Sequence, residues 1–338
     1  MAQATSAESP VLERSPSPLG VPGSGQMGAR LGCFPLREDR LSGGGGTVPW
    51  ADVVVKIGGS ACTRKAQFET LNEEALGATA AQLSQLVGEG ARLAVIHGAG
   101  SFGHQQAKEY GVSKGTGEGA PAHPMPPRLC EGFARTRLSV TTLSHHVVTA
   151  LISQGLPAVA ISPCPFVGTV KKKLPGSRLP PSAAEGVVGL LKRGLVPVVH
   201  GDAVLDAAQG AAVLSGDVWM VELCRELLAR SAVFVTDVDG VFTKPPSEPG
   251  AELVREILVD TKTGELELAG VSMSTAAHDV TGGLKAKLES AAEVLVRAPS
   301  VEAVYIVRAG SEAAKQALRG QTPANGTTLR RKGAAARC

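Results

Sequence analysis

Arg92-Leu-Ala-Val-Ile-His97-Gly98-Ala99-Gly100-Ser101-Phe102-Gly103-His104 is the stretch that decides how this chain folds. An apolar run of strand length, Leu93 to Ile96, ends in a turn containing Gly98, Gly100 and Gly103, and the turn closes on an imidazole. Short, uniformly apolar strands are what a parallel sheet covered on both faces requires. Glycines let backbone N–H groups approach an anion closely, and a helix starting just after the turn adds a favourable field. His104 contributes a side chain that can donate a hydrogen bond to a phosphate oxygen. The stretch reads as a phosphate cradle at the carboxyl end of a buried strand.

The same grammar repeats on either side. From Asp52 onward strands and helices alternate: Val53 to Ile57 reads as a buried strand, and residues 69–88 carry Leu71, Ala75, Leu76, Leu83 and Leu86 at helical spacing. A long helical pattern over 128–154 stops at Gly155-Leu-Pro157. Strand 158–161, helix 183–193 and strand 196–199 follow, then a helix after Ser215-Gly216-Asp217 and a strand at 232–236. This order predicts an α/β fold with a mainly parallel sheet covered on both faces, and ligands in such sheets bind beyond the carboxyl ends of the strands. The motifs below fall at those ends.

Bulk properties exclude several classes. The 338 residues are 43% apolar, enough for a sizeable core, and the net charge of +3 gives no reason to expect a nucleic-acid partner. Lys171-Lys172-Lys173 sits among Pro and Gly and reads as a solvated loop. Cys33, Cys62, Cys130, Cys164, Cys224 and Cys338 show neither C-x-x-C pairs nor zinc spacing, which makes a reducing compartment the default expectation. No uncharged apolar run reaches the roughly 18 residues of a membrane span, and no secretory signal is recognisable. Residues 1–48 are rich in Ser, Pro and Gly without a sustained period and are expected to form a disordered extension. Gly23-Ser-Gly25-Gln-Met-Gly28 has no strand leading into it and is a chance match to a dinucleotide fingerprint.

Further candidate groups accompany the central turn. Lys56 is followed by Gly58-Gly59-Ser60, with Lys65 nine residues after it; a lysine flanked by Val55 and Ile57 can reach a phosphate held by the turn's amides, although a solvated lysine beside an ordinary turn has the same local sequence. Gly201 in His200-Gly201-Asp202 permits close approach of a ligand, while Asp202 fits a turn cap equally well. Ser215-Gly216-Asp217 has the form of a helix N-cap, and Asp217 is also suited to holding lysine ammonium groups. Thr236-Asp237-Val-Asp239-Gly240 ends a strand with two carboxylates. In Asp279-Val-Thr-Gly282-Gly283-Leu-Lys-Ala-Lys287 a glycine pair opens a helix, and Lys287 lies about one turn into it.

Several lysines and glycine turns without a G-x-x-x-x-G-K-[ST] loop suit phosphoryl transfer, which needs alignment and charge neutralisation rather than covalent help. Two unit charges about 4 Å apart interact by roughly 4 kcal/mol at an effective dielectric near 20. An acceptor that is already anionic requires no general base. Gly98-x-Gly100-x-x-Gly103 also fits a nicotinamide-binding fold, but that fold expects an acidic residue about 20 positions on at a strand end. The chain instead has the loop Gly115-Thr-Gly-Glu-Gly119-Ala-Pro121 there, and the oxidoreductase reading leaves Lys56, Lys65 and Lys287 without a role.

Taken together, the motifs at 56–65, 97–104, 200–202, 236–240 and 281–287 resemble the amino acid kinase superfamily, and within it most closely the isopentenyl phosphate kinase branch. The resemblance implies a three-layer α/β/α sandwich over residues 49–333, with the N-terminal half binding the acceptor and the C-terminal half binding ATP. It implies isopentenyl phosphate and MgATP as substrates and isopentenyl diphosphate as product. It also implies a homodimer; cysteine usage, the small net charge and the lack of an apolar span lead to the expectation of a cytoplasmic protein with no nucleic-acid or membrane partner. Carried over by position, Lys56 and Lys287 would contact ATP phosphates and Lys65 would stabilise the transition state. Gly58, Gly59, Ser60 and Gly100 would lie along the phosphates. Ala99, Gly100, His104 and Gly201 would contact the acceptor's phosphate, Asp217 would orient lysines, and Asp237 with Gly283 would border the nucleotide. A phosphonate or a carboxylate acceptor of the same superfamily is the alternative, and His104 argues for the phosphomonoester. Phe102, Phe133, Leu138 and Val147 are candidates for the wall around the acceptor's alkyl chain, or for ordinary core.

Overall fold

Alternation of buried side chains between the two faces of the central strands builds the architecture. In the computed structural model, which describes residues 49–64, 66–117, 122–268 and 282–333, all five side chains of β1 (Val53–Ile57) are buried. Val53, Val55 and Ile57 enter one core and Val54 the other, so successive residues feed opposite faces of the sheet. Lys56 falls on the Val54 face, a placement that decides which helix it meets.

The strands are β1, β2 (Leu93–His97), β3 (Ala158–Ile161), β4 (Val196–His200), β5 (Asp202–Asp206), β6 (Gly210–Leu214), β7 (Ser231–Thr236), β8 (Val241–Phe242), β9 (Leu253–Val254), β10 (Glu256–Val259), β11 (Leu266–Leu268), β12 (Ala303–Arg308) and β13 (Thr327–Arg331). Nine of them form one sheet in the order β11-β10-β13-β12-β7-β1-β2-β4-β3. Within it only β10–β11 and β12–β13 pair antiparallel. The helices are α1 (Gly59–Cys62), α2 (Glu73–Gly88), α3 (His104–Glu109), α4 (Pro127–Ser153), α5 (Pro181–Leu191), α6 (Gly216–Glu226), α7 (Gly282–Arg297) and α8 (Glu312–Leu318).

One face of the sheet carries α5, α6 and α7 through Val187, Trp219, Met220, Leu223, Ala291 and Leu295. The other carries α2, α4 and α8 through Leu76, Leu83, Leu143, Val147, Leu151 and Ala314. This is the expected three-layer sandwich, and β1, β2 and β7 sit at its centre.

Two helices have ends shifted by two residues or more from the sequence expectation. The first long helix begins at Glu73 rather than near 69, because the Asn72 side chain caps it by accepting from Ala75 N–H at 3.4 Å, while Glu69 adopts φ +45. The helix expected at 183–193 runs from Pro181 to Leu191, since proline suits a first helical position whose N–H has no partner in any case. The β5–β6 hairpin was not anticipated; Gly210, at φ +77, makes its turn. Lys171, Lys172 and Lys173 are exposed as expected, with the Lys171 and Lys172 amides donating to Asp206. The extension at 1–48 lies outside the described residues, as do Lys65, Asp279 and Thr281.

Candidate active site

The carboxyl ends of β1, β2, β4 and β7 open into a cavity of about 650 Å³. Its lining contains Lys56, Gly58, Gly59, Ser60, Ala99, Gly100, His104, Gly201, Asp217, Asp237 and Lys287. Residues expected to act together from six separate segments therefore share one space. Gly283 opens the helix that carries Lys287, in the first turn of α7.

Lys56 is 7% exposed, and a buried ammonium requires a partner. Because it faces the α6 side, it meets Asp217 in the first turn of that helix, Nζ to Oδ1 at 2.5 Å, and lies 5.6 Å from the centre of the Phe234 ring. Ser215 caps α6 by accepting from Asp217 N–H at 3.1 Å and also contacts the Asp217 carboxylate at 3.0 Å. The cap and the charge holder are thus the same motif. Asp217 meets one lysine among the described residues, not several: the Lys287 ammonium donates instead to Thr236 Oγ1 at 2.9 Å. Thr236 and Ser60 hydroxyls both donate to Asp237 Oδ1, at 3.0 and 2.6 Å, so a run of side chains links the end of β7 to α1 and α7.

The glycine turns after β1 and β2 touch backbone to backbone. A Cβ on Gly59 would lie 2.5 Å from Gly100 Cα, and one on Gly98 would lie 2.7 Å from Gly59 N, so neither position admits a side chain without moving main chain. The loop from Gly98 to His104 is then pinned from beneath. Ser101 N–H donates to Thr63 Oγ1 at 2.9 Å and Gly103 N–H to Ser139 Oγ at 2.8 Å. Gly103, at φ +74, turns the chain into α3, whose first residue is the exposed His104.

Asp202 shows what sequence reasoning missed. It is 1% exposed; its Oδ1 accepts from Ala203 N–H at 2.8 Å and its Oδ2 from Arg137 Nε at 3.2 Å and Ser162 Oγ at 3.0 Å. Burial pushes its carboxyl above the usual range, opposed by His200 and Arg137. The carboxylate bonds its own adjacent main chain rather than capping a turn, and it also forms an ion pair to α4. No sequence signal could have found that pair, since Arg137 and Asp202 stand 65 residues apart.

None of the four residues left open between alkyl wall and ordinary core lines the cavity. Phe102 and Val147 belong to the core on the α2–α4 face, Phe133 packs against buried clusters, and Leu138 is 70% exposed. The apolar part of the cavity is made by Ala107, Val140, Val213, Leu214 and Phe242. On α4 the inward positions come from helical phase: Thr136 and Val140 are one turn apart, and Leu138 between them points away.

Comparison with known proteins fits this geometry. The profile of the Amino acid kinase family matches residues 53–308, which contain all the cavity residues named above. Isopentenyl phosphate kinase of Arabidopsis thaliana is 35% identical over 315 residues, covering 79% of this chain and 90% of that protein. The isopentenyl phosphate kinase of Methanothermobacter thermautotrophicus is 32% identical over 240 residues, 70% of this chain and 84% of that one. A solved isopentenyl phosphate kinase superposes with a TM-score of 0.63 at 29% identity, over 82% of this chain and 99% of the other. The product complex of the T. acidophilum isopentenyl phosphate kinase superposes with a TM-score of 0.62 at 26% identity, over 82% and 99%. An N-acetylglutamate synthase at 16% identity, with a TM-score of 0.56, shares the fold alone. The chain belongs to the amino acid kinase family, in its isopentenyl phosphate kinase branch.

Proposed function

We propose that this protein transfers the γ-phosphoryl group of ATP to isopentenyl phosphate, releasing isopentenyl diphosphate and ADP. A phosphate oxygen of the acceptor attacks the γ-phosphorus, and the bond to the bridging oxygen breaks with its electron pair leaving on ADP. The observation that carries this reading is the convergence of Lys56, Lys287, His104 and the Gly59–Gly100 contact on one cavity with an apolar flank. The acceptor is already an anion, so alignment and charge stabilisation suffice.

Ala99, Gly100, His104 and Gly201 hold the acceptor phosphate in this reading, within the N-terminal half of residues 49–333. Gly58, Gly59 and Ser60 at the end of β1, with Asp237, Gly283 and Lys287 of the C-terminal half, border the ATP phosphates. Lys56 lies between the two, oriented by Asp217. Lys65, which follows α1, supplies a further charge to the transferring group. Val140, Ala107 and Val213 on the cavity wall support an alkyl-bearing acceptor over a carboxylate one.

Magnesium fits as a cation brought in on the nucleotide. The described residues contain no group of three or more His, Cys, Asp or Glu arranged around a common point, and Mg²⁺ commonly relies on one or two carboxylates plus phosphate oxygens. Asp237, whose carboxylate lies at the cavity, is the residue suited to face it. When bound, Mg²⁺ would neutralise β- and γ-phosphate charge.

A homodimer is supported by large apolar side chains left exposed, Leu138 and Ile152 on α4 and Phe166, Val170 and Leu205 later in the chain among them. The free thiols of Cys62, Cys130, Cys164 and Cys224 are in keeping with a cytoplasmic setting. No described helix is long and apolar enough to cross a membrane.

The test is an ADP-release screen with isopentenyl phosphate, dimethylallyl phosphate, fosfomycin and N-acetylglutamate as acceptors. Isopentenyl phosphate should give the highest kcat/KM. Preferential turnover of fosfomycin or N-acetylglutamate would reject the reading.

A further inference from the structure

Two imidazoles beneath the acceptor loop have no part in the reaction as written. His97 and His200 end the adjacent parallel strands β2 and β4 at the same register, are 0% and 1% exposed, and stack with ring centres 5.2 Å apart at 24°. Each precedes a glycine. His97 Nδ1 lies 3.2 Å from Gly98 O, and His200 Nδ1 lies 2.9 Å from Gly201 O. A carbonyl oxygen only accepts, so Nδ1 carries the proton in both rings. Burial, assisted by the neighbouring His200, pushes the His97 pKa down to about 3, and the ring is therefore neutral with a bare Nε2. That Nε2 is buried without a partner. Leaving a buried acceptor unsatisfied costs stability, so the ring is not there for Nε2.

The Nδ1 bond fixes a peptide plane. Gly98 N–H continues the sheet by donating to Ile57 O at 2.9 Å. Gly98 O is held by His97 Nδ1, with the Cys62 thiol a further 3.8 Å contact. In a planar trans peptide the C=O and the following N–H point in opposite directions. Pinning Gly98 O towards the core therefore aims Ala99 N–H away from it. In this loop the amides of Gly98, Ser101, Phe102, Gly103 and His104 all donate within the protein. Those of Ala99 and Gly100 have no acceptor among the described residues, and both residues line the cavity.

We infer that His97 is a positioning residue for the acceptor phosphate: its Nδ1–H locks the Gly98 carbonyl and so presets Ala99 N–H as a donor to that phosphate, with His200 stacked against it as a buttress. The inference rests on the reading of this cavity as the acceptor site. It assigns His97 no proton transfer and no contact with substrate.

Asparagine and glutamine separate this role from packing. His97→Asn places an amide nitrogen near the Nδ1 position, whereas His97→Gln places one near Nε2. The Asn variant should keep the KM for isopentenyl phosphate within about threefold of wild type, and the Gln variant should raise it about tenfold or more. The KM for ATP should move less than about twofold in both. An unchanged acceptor KM in the Gln variant, an equal rise in both variants, or a Gln variant that fails to fold beside a folded Asn variant would overturn the inference in favour of packing. ¹⁵N imidazole NMR of the wild-type chain should show the His97 proton on Nδ1; a proton on Nε2 would overturn it without any substrate. Failure of the functional reading looks different: a wild-type enzyme idle on isopentenyl phosphate, whatever the His97 tautomer.

Discussion

The two sides of the cavity are held together in different ways. On the proposed acceptor side, buried side chains grip the backbone: His97 on Gly98 O, Thr63 on Ser101 N–H, Ser139 on Gly103 N–H. On the proposed nucleotide side, side chains grip one another, from Ser60 through Asp237 and Thr236 to Lys287. Backbone groups held by His97 at the end of β2, by Thr63 and by Ser139 on α4 cannot shift without shifting the elements that carry them, so they are preorganised. A relay of hydroxyls, a carboxylate and a long ammonium stem can rearrange around an arriving polyphosphate, at a cost in side-chain entropy. The rigid side suits selection of a small acceptor, and the adaptable side suits a larger donor shared by many enzymes. Lys56 and Asp217 stand at the junction.

The largest effect should come from that junction. Lys56→Met retains the stem and removes the charge, and kcat should fall about 10²- to 10³-fold, as for loss of one preorganised donor. A fall under tenfold in steady-state assays would mean the two sides are not joined through this lysine. A crossed pair of variants comes next. His104→Ala should raise the KM for isopentenyl phosphate about 10- to 100-fold, the worth of one charge-assisted hydrogen bond, and spare ATP. Lys287→Ala should raise the KM for ATP about tenfold and spare the acceptor. Equal movement of both constants in either variant would erase the division of the cavity.

The smallest effect concerns stability and sharpens the account of the rigid side. Burial lowers the pKa of His97 to about 3 and that of His200 in the same direction, against an ordinary 6.5. Above pH 6.5 neither the folded nor the unfolded chain binds these protons, and the rings make no pH-dependent contribution. As pH falls below 6.5 the unfolded chain takes up protons that the folded rings refuse, so stability is lost, by up to about 1.4 kcal/mol per pH unit for each ring. Urea melts between pH 6 and 5 should show a shallower loss in His97→Asn than in wild type. Identical slopes would mean His97 titrates normally when folded.

The strands and most helices were legible because buried parallel strands must be continuously apolar and helices must place apolar residues every three to four positions. Val53–Ile57, Leu93–His97 and Ser231–Thr236 carry that mark plainly. The cavity was legible for a second reason: most of its lining groups lie at or just after a strand end, and glycine there announces close approach. Whether Phe102, Leu138 and Val147 are alkyl wall or ordinary core was not legible, because helical phase on α4 and packing under α2 choose which apolar residues face a cavity, and composition does not report phase against a neighbour. The β5–β6 hairpin offered a weak cue in Gly210, too slight beside the helices around it.

The chain's own order of residues was enough to determine a parallel α/β sandwich, the segments that form the cavity and the residue types able to hold phosphate, since these follow from local periodicity and from what glycine and lysine can do. Only the tertiary structure decided the pairings. Lys56 takes Asp217 because strand alternation turns it towards α6, Lys287 takes Thr236, Asp202 takes Arg137, and two histidines 103 residues apart stack because β2 and β4 are neighbours in register. Contacts of that kind depend on which faces meet across the sheet, a property of packing that no stretch of sequence carries alone.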